Sequence, residues 1–206
     1  GYVQILKQQD VDLIHQEYIA IILKEINSIN RVIQQLLYFA RPRQGYWQPV
    51  SLNQLIEECL VLIKTTGLQA RIDFTTQMAP DLADLQADGE LLRQVILNIL
   101  INAVQAISAR GHILIRTWQF DATRQAVMIH DDGCGISAQH RSKIFDPFFT
   151  TKASGTGLGL ALSQRIINAH QGDIQLSSEP NSGTAFTLIL PVKHQGNTPS
   201  TKHTQH

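Results

Sequence analysis

The chain has 206 residues and a mass of 23.0 kDa, which is enough for one domain of ordinary size with a short additional arm. Lysine and arginine together number 17, as do aspartate and glutamate, so the net charge is zero and no basic excess is available to hold a nucleic-acid backbone or an anionic membrane surface. With 43% hydrophobic and 17% charged residues, the composition is that of a globular protein and not of a disordered one.

Cysteine usage and hydropathy indicate the compartment. Cys59 and Cys134 lie far apart without a CxxC partner, which argues against a disulfide scaffold or a zinc site and fits a reducing cytosol. No apolar run approaches the roughly 18 residues needed to span a bilayer, and no signal-peptide pattern is present. We therefore expect a cytoplasmic chain with no membrane contact of its own.

The first 40 residues have a helical pattern. Apolar residues recur at alternating spacings of four and three, which is typical of a heptad seam that needs a partner helix. The seam consists of Ile22, Ile26, Ile29, Ile33, Leu36 and Ala40. We expect residues 1–43 to form a helical hairpin with its turn at 10–15; a core helix of one larger domain is the alternative. Pro42 and Pro49 predict a linker over residues 44–50, where we place the domain boundary.

Helices and strands alternate from Ser51 onward. Helices are predicted over about 52–64, over 88–107 with Asp88 as the N-cap, and over 158–170. Strands are predicted at 71–76, 113–118, 126–130, 174–178 and 185–190. This order predicts an α/β sandwich in which helices cover one face of a mixed sheet. We expect this domain to span 51–192, and the polar residues 193–206 to form a disordered tail.

Two asparagines interrupt the long apolar helix predicted over 88–107. Asn98 and Asn102 are four residues apart and therefore lie on one helix face. Burying two amides costs free energy unless something bonds to them. Either they bond neighbouring backbone groups, or their oxygens meet Mg²⁺ or phosphate, since Mg²⁺ prefers hard oxygen ligands.

A first glycine-rich segment, Asp131-Asp132-Gly133-Cys134-Gly135, follows the strand at 126–130. Glycine lets the backbone turn sharply and approach a ligand, and an aspartate beside it can accept a hydrogen bond from an exocyclic amine such as that of adenine. Such a segment alone is more typical of a plain turn after a strand.

A second glycine cluster, Gly155-Thr156-Gly157-Leu158-Gly159, runs directly into a predicted helix, whose free N–H groups and dipole can face phosphate. It lacks the Gly-Lys-Ser/Thr end of a P-loop and does not follow a strand as a dinucleotide fingerprint does. The segment before it holds Phe145, Phe148 and Lys152. The phenylalanines are either core residues or anchors for the base of a short movable lid, and Lys152 offers a point charge to phosphates.

These features, in this order, resemble the catalytic and ATP-binding domain of sensor histidine kinases, which shares its fold with gyrase, Hsp90 and MutL. The family's boxes are matched by Asn98–Asn102 (N box), Asp131–Gly135 (first glycine box), Phe145–Phe149 (F box), Gly155–Gly159 (second glycine box) and Gly183-Thr184-Ala185-Phe186 (final Gly-Thr-x-Phe box). The resemblance covers about residues 51–192. The run from Phe148 to Leu160 looks most like the nitrogen-regulation and acetoacetate-response branch.

The resemblance implies ATP and Mg²⁺ as cofactors. It implies that Asp131 accepts a hydrogen bond from the adenine amine, with Thr184 assisting through water. It also implies that Asn102 ligates Mg²⁺ and that Asn98 and Lys152 lie on the phosphate side of the pocket. The other residues that it places in nucleotide binding are Gly133, Gly135, Phe145, Phe148, Thr156, Gly157, Leu158 and Gly159.

Asn98 stands where the related ATPases carry a glutamate that activates water. An amide cannot act as a general base, which favours a kinase over an ATPase.

The implied function is that of a kinase core that transfers the γ-phosphate of ATP to a histidine, for relay to an aspartate of a response regulator receiver domain, in a homodimeric parent. The family's His-Glu-x-x-Asn-Pro box is absent from residues 1–40, so we expect Mg-ATP binding without self-phosphorylation. Two alternatives stay open: a nucleotide-binding remnant without catalysis, and a related ATPase or serine kinase. Asn98 argues against the ATPase, and the hairpin argues against the serine kinase.

Overall fold

The computed structural model describes residues 46–65, 72–152 and 155–193, together with positions 18, 19, 22 and 26. The chain divides into two compact units, Gly1–Gln44 and Gly45–His206. In the first unit the four described positions are helical, and the side chains of Ile22 and Ile26 are exposed. The remainder of the predicted hairpin and the predicted tail from residue 194 lie outside the described residues.

The second unit is built on a five-stranded mixed sheet of order β2-β4-β5-β7-β6. β2 (Ile72–Gln77) pairs in parallel with β4 (Gly111–Gln119), which pairs antiparallel with β5 (Arg124–Asp131). β7 (Thr184–Pro191) lies antiparallel between β5 and β6 (Asp173–Ser178). These are the five strands that the sequence predicts, with bounds within two residues of those expected.

Alternation along the central strands buries one face of the sheet. On β4, Ile113, Ile115 and Thr117 are buried while their neighbours are partly exposed, and their partners on β5 at 127–131 are buried on the same face. Three helices form the second layer: α1 (Leu52–Thr65), α2 (Gly89–Ala106) and α4 (Gly159–Ala169). α2 packs against β5, α4 packs against β6, and both α1 and α4 pack against α2. The predicted α/β sandwich is confirmed.

Among the described residues, no helix combines the length and the hydrophobicity that crossing a bilayer requires.

α2 is the helix that organises the site. It begins as predicted, because the side chain of Asp88 accepts a hydrogen bond from the backbone N–H of Leu91 at 3.2 Å. Its buried stripe consists of Leu92, Val95, Ile96, Ile99, Leu100, Ala103 and Val104. Burial stabilises the larger of these side chains by roughly 1.5–3 kcal/mol each. The apolar stripe therefore holds the helix in place, and Asn98 and Asn102, which are half-buried beside it, are available for other contacts.

Two short elements are not predicted from the sequence. β1 (Gln48–Val50) pairs antiparallel with β3 (Leu85–Ala87) as a separate two-stranded ribbon, so residues 48–50 form a strand and not the last part of the linker expected over 44–50. Pro49 is compatible with β1 because a proline, which lacks an N–H, fits an edge strand. The other element is the four-residue helix α3 (Ala138–Arg141).

Candidate functional site

Asp131 is the last residue of β5, and its carboxylate lies in the buried layer, with 3% of the residue exposed. The backbone N–H of Gly133 donates to Oδ1 at 2.9 Å. Burial raises the pKa of this carboxyl, against the opposing effect of the N–H groups of Gly133 and Thr184. A buried carboxylate held by backbone donors is a ready acceptor for a ligand amine.

A hydroxyl pair lies beside Asp131 on the neighbouring strands. Thr184 is the partner of Asp131 in the β5–β7 ladder, and its Oγ1 lies 2.9 Å from Oγ of Ser178. Ser178 donates to the carbonyl of Gly183 at 2.9 Å and accepts from the backbone N–H of Ile136 at 2.8 Å. Ser178 therefore joins the loop after Asp131 to the turn before Thr184. Sequence reasoning missed it, because a serine at the end of a strand carries no signal of such a role.

The first glycine loop packs on the C-terminal end of α2. The N–H of Cys134 donates to the carbonyl of Ala106 at 3.1 Å, and a side chain at Gly133 would collide with Ala106. Gly135 follows with a φ of 66°, in the left-handed region that favours glycine. The loop next to Asp131 is thus fixed on the last turn of α2.

The second glycine loop reaches the same helix eight residues earlier, at Asn98. Nδ2 of Asn98 donates to Oγ of Ser163 on α4 at 3.0 Å, and Ser163 donates to the carbonyl of Gly159 at 3.0 Å. Gly159 packs so closely on the Asn98 amide that a side chain would not fit there. Asn98 bonds a side-chain hydroxyl on another helix, and not the neighbouring backbone groups that are one of its two predicted uses; the contact ties α2 to α4. Leu158, directly before that turn, is buried.

The backbone of the F-box segment runs along the second glycine loop. The N–H of Phe148 donates to the carbonyl of Gly157 at 3.0 Å, and both residues have a positive φ, 68° and 66°. Phe145 is half-buried and packs edge-on against Phe186, with ring centroids 6.5 Å apart, as a core or anchor residue does. Phe148 is 68% exposed, so of the two predicted interpretations it does not fit that of a core residue. Thr156 is also exposed, and its Oγ1 accepts from the N–H of Leu158 at 3.4 Å.

Lys152 is bound by the same face of α2. Its Nζ donates to Oδ1 of Asn102 at 2.9 Å and to Oε1 of Gln105 at 2.6 Å. Although the residue as a whole is exposed, partial desolvation of the ammonium lowers the pKa of Lys152, while the charges of Cys134 and Asp131 raise it. Sequence reasoning missed Gln105, whose only signal is its position one helical turn after Asn102.

Three positions on one face of α2 therefore contact the segments that form the candidate site. Asn98 holds the start of α4, Asn102 holds the Lys152 ammonium, and Ala106 holds the loop that follows Asp131. With a rise of 1.5 Å per residue, these contacts extend over about 12 Å of helix. A hydrogen-bond acceptor for an amine, a cation and a helix N-terminus are arranged along that line.

Comparison with known proteins agrees with this arrangement. Residues 87–194, more than half of the chain, match the family described as histidine kinase-, DNA gyrase B-, and HSP90-like ATPase. The chain is 66% identical over 197 residues to the signal transduction histidine-protein kinase AtoS of Escherichia coli strain K12, a match that covers 96% of this chain and 32% of that protein. It is 39% identical to the sensor histidine kinase ZraS of Klebsiella oxytoca, over 85% of this chain and 38% of that protein.

Solved structures agree with the fold. The crystal structure of histidine kinase ThkA in complex with the response regulator protein TrrA is 28% identical and superposes with a TM-score of 0.72, over 93% of this chain and 56% of that chain. The chain spans about a third of the length of the curated relatives it matches. The resemblance predicted from the N, G and F boxes is confirmed, and the chain belongs to the family of histidine kinase-, DNA gyrase B- and HSP90-like ATPases.

Proposed function

We propose that this chain is the ATP-binding catalytic core of a two-component sensor histidine kinase, which transfers the γ-phosphate of ATP to a histidine for relay to an aspartate of a response regulator. The observation that carries the proposal is the line of three contacts on α2 at Asn98, Asn102 and Ala106. The line joins an acceptor suited to adenine to a cation and a helix N-terminus suited to phosphates.

The nucleotide would lie along α2. Asp131 would accept the hydrogen bond of the adenine amine, with Thr184 beside it. Gly133, Gly135, Gly157 and Gly159 sit where a side chain would meet backbone or the Asn98 amide, so the loops at both ends approach their neighbours more closely than other residues allow. The N-terminal turn of α4 after Leu158 would face the phosphates with its free N–H groups.

The donor set fits a magnesium ion bound mainly by its nucleotide. Oδ1 of Asn102 is a hard amide oxygen that already accepts from a cationic group. In the part of the chain that the structure describes, no cluster of three or more histidine, cysteine, aspartate or glutamate side chains could hold a metal on its own. Mg²⁺ would therefore take most of its ligands from phosphates and water, and when bound it supplies charge neutralisation at those phosphates.

Phosphoryl transfer to a protein fits this site better than transfer to water. The amide of Asn98 has no basic group, and its nitrogen is engaged with Ser163 on α4, so it would neither deprotonate nor orient an attacking water as a carboxylate would. We infer slow hydrolysis of ATP in the absence of a phosphoacceptor.

The proposed partners are a response regulator receiver domain and, in the longer parent protein, a second copy of the chain. ThkA, a structural relative at 28% identity, is crystallised with a response regulator. The seam at Ile22 and Ile26, whose side chains are exposed, supports pairing of the helical arm. A cytoplasmic location, where ATP is available, follows from the proposal.

The experiment is a calorimetric titration of the chain with ATP, with and without Mg²⁺, while ADP formation is followed in the same sample. A separately produced hairpin that carries a His-Glu-x-x-Asn-Pro box is then added with radiolabelled ATP. Mg-dependent binding, little ADP and acid-labile label on the hairpin are expected. Acid-stable label indicates a serine kinase, rapid ADP formation an ATPase, and binding without label a non-catalytic module; each contradicts the proposal, as does the absence of binding.

A further inference from the structure

The ammonium of Lys152 is held by two neutral amide oxygens of one helix. Asn102 and Gln105 are three residues apart on α2, so their side chains lie on one face, and Nζ donates to Oδ1 of Asn102 at 2.9 Å and to Oε1 of Gln105 at 2.6 Å. Both contacts are charge-assisted hydrogen bonds, and they use two of the three N–H donors of the ammonium. We refer to the two oxygens as the amide seat.

We propose that Gln105 is a positioning residue for Lys152, and that the Lys152 ammonium and Mg²⁺ are alternative occupants of the Asn102 oxygen in the amide seat. The inference rests on the proposed function, because it concerns the same nucleotide site. Without metal, Lys152 is the cation on Asn102. When Mg²⁺ takes that oxygen, Gln105 keeps the ammonium within one helical turn of it, beside the phosphates.

Neutrality of the amide seat is the physical reason for this assignment. A carboxylate at position 102 or 105 would bind the ammonium more tightly but would cancel its charge toward the ligand. Two amides orient the ammonium and leave its full positive charge directed at the pocket, where its field reaches the Asp131 carboxylate. A metal site that consists of one amide oxygen is also weak enough for an ammonium to replace the ion on it.

The test compares ATP affinity by calorimetry, in excess EDTA and in saturating Mg²⁺, for the wild type, Gln105→Leu, Lys152→Met and the double variant. Gln105→Leu is expected to weaken ATP binding about three- to tenfold, the effect of one lost hydrogen bond. In the Lys152→Met background the same change is expected to have no effect, because Gln105 acts through the lysine. Lys152→Met is expected to increase the magnesium ratio, which is the dissociation constant for ATP in EDTA divided by that in saturating Mg²⁺. The metal-free site loses its cation, and Mg²⁺ loses its competitor for the Asn102 oxygen.

Gln94→Leu is the matched control, because Gln94 is exposed on the same helix eleven residues before Gln105. Thermal unfolding of every variant establishes that the fold is intact. The inference is overturned if Gln105→Leu binds ATP as Gln94→Leu does, if its effect persists in the Lys152→Met background, or if Lys152→Met leaves the magnesium ratio unchanged. In each of these outcomes the wild type still binds ATP, whereas failure of the wild type to bind ATP would contradict the proposed function itself.

Discussion

The ring of His170 accepts a hydrogen bond from the backbone N–H of Asp88, with 3.1 Å between Nε2 and the amide nitrogen. Nδ1 lies 2.8 Å from the carbonyl oxygen of Ile166, and since a carbonyl only accepts, this nitrogen carries the proton. The ring therefore joins the start of α2 to the end of α4 as a neutral tautomer. Asn98 and Ser163 join the same two helices nearer the phosphate side, so two polar contacts connect the helices that frame the site.

Replacing His170 by phenylalanine keeps the ring volume and removes the acceptor for the Asp88 N–H, at the N-cap of α2. We expect the free energy of unfolding to fall by about 1–3 kcal/mol, which is the cost of leaving a partly buried donor without its partner. Urea unfolding measures the loss. His112→Phe is the control, since that ring is exposed and bonds Thr75 on the sheet surface, and it is expected to cost less than about 0.5 kcal/mol. Equal losses in the two variants would contradict the role assigned to His170.

Asp131→Asn is expected to weaken ATP binding without lowering the stability of the folded chain. The pKa of Asp131 is raised in the folded chain, so the folded state binds the proton more readily than the unfolded state does. Protonation of Asp131 therefore stabilises the folded chain at low pH. This stabilisation is lost as the pH rises through the folded-state pKa, so at neutral pH the buried, ionised carboxylate lowers the free energy of unfolding. We expect the variant to unfold at equal or higher urea concentration at pH 7, while its ATP affinity falls by about 1–3 kcal/mol, or ten- to a hundredfold.

The same variant serves as the reference for a pH titration. As the pH falls through the raised pKa of Asp131, the wild type loses the ionised acceptor for the adenine amine at a higher pH than an aspartate with the ordinary pKa of 3.8 would. The ratio of wild-type to Asp131→Asn affinity is expected to decline over that range, and titration of the ATP phosphates cancels in the ratio. A ratio that is constant with pH, or equal to one at pH 7, would reject the adenine-reading role.

The sequence predicts the parts of this fold whose signals are local. The apolar period of α2, the N-cap at Asp88 and the alternation in β4 and β5 each lie within one element. The glycine boxes predict the two loops because backbone turns and helix starts are also local. The three-residue strands β1 and β3 have no period to detect.

Residues whose roles come from distant contacts are not predictable in this way. Gln105 meets Lys152 across 47 positions, Ser178 meets Ile136 across 42, and His170 meets Asp88 across 82. No pattern near any of these residues indicates a partner so far along the chain. Phe148 is exposed and not part of the core, although the local sequence is apolar; its positive φ and its backbone contact with Gly157 have no signal in that sequence either.

The contact between Asn98 and Ser163 is testable by a double-mutant cycle. Ser163→Ala removes both the acceptor for the Asn98 amide and the donor to Gly159, and is expected to lower the free energy of unfolding by about 1 kcal/mol. Asn98→Ala is expected to cost at least as much. Because the two side chains bond each other, the double variant should lose less than the sum, by about 0.5 kcal/mol or more. Additive losses would contradict the contact, and Ser142→Ala, at an exposed position, is the control with no expected change.

The two cysteines are expected to differ in reactivity, and one of them reports on the site. Cys59 is fully buried in α1, and burial raises the pKa of its thiol to about 11, so it forms little thiolate at pH 8. Cys134 is exposed within the first glycine loop. Iodoacetamide at pH 8 should label Cys134 alone, and Mg-ATP should slow the labelling because this loop lines the proposed nucleotide site. Mass spectrometry of labelled peptides gives the rate, with Cys134→Ser expected to stay unlabelled until urea exposes Cys59. A labelling rate that ATP leaves unchanged at saturation would place the loop outside the nucleotide site.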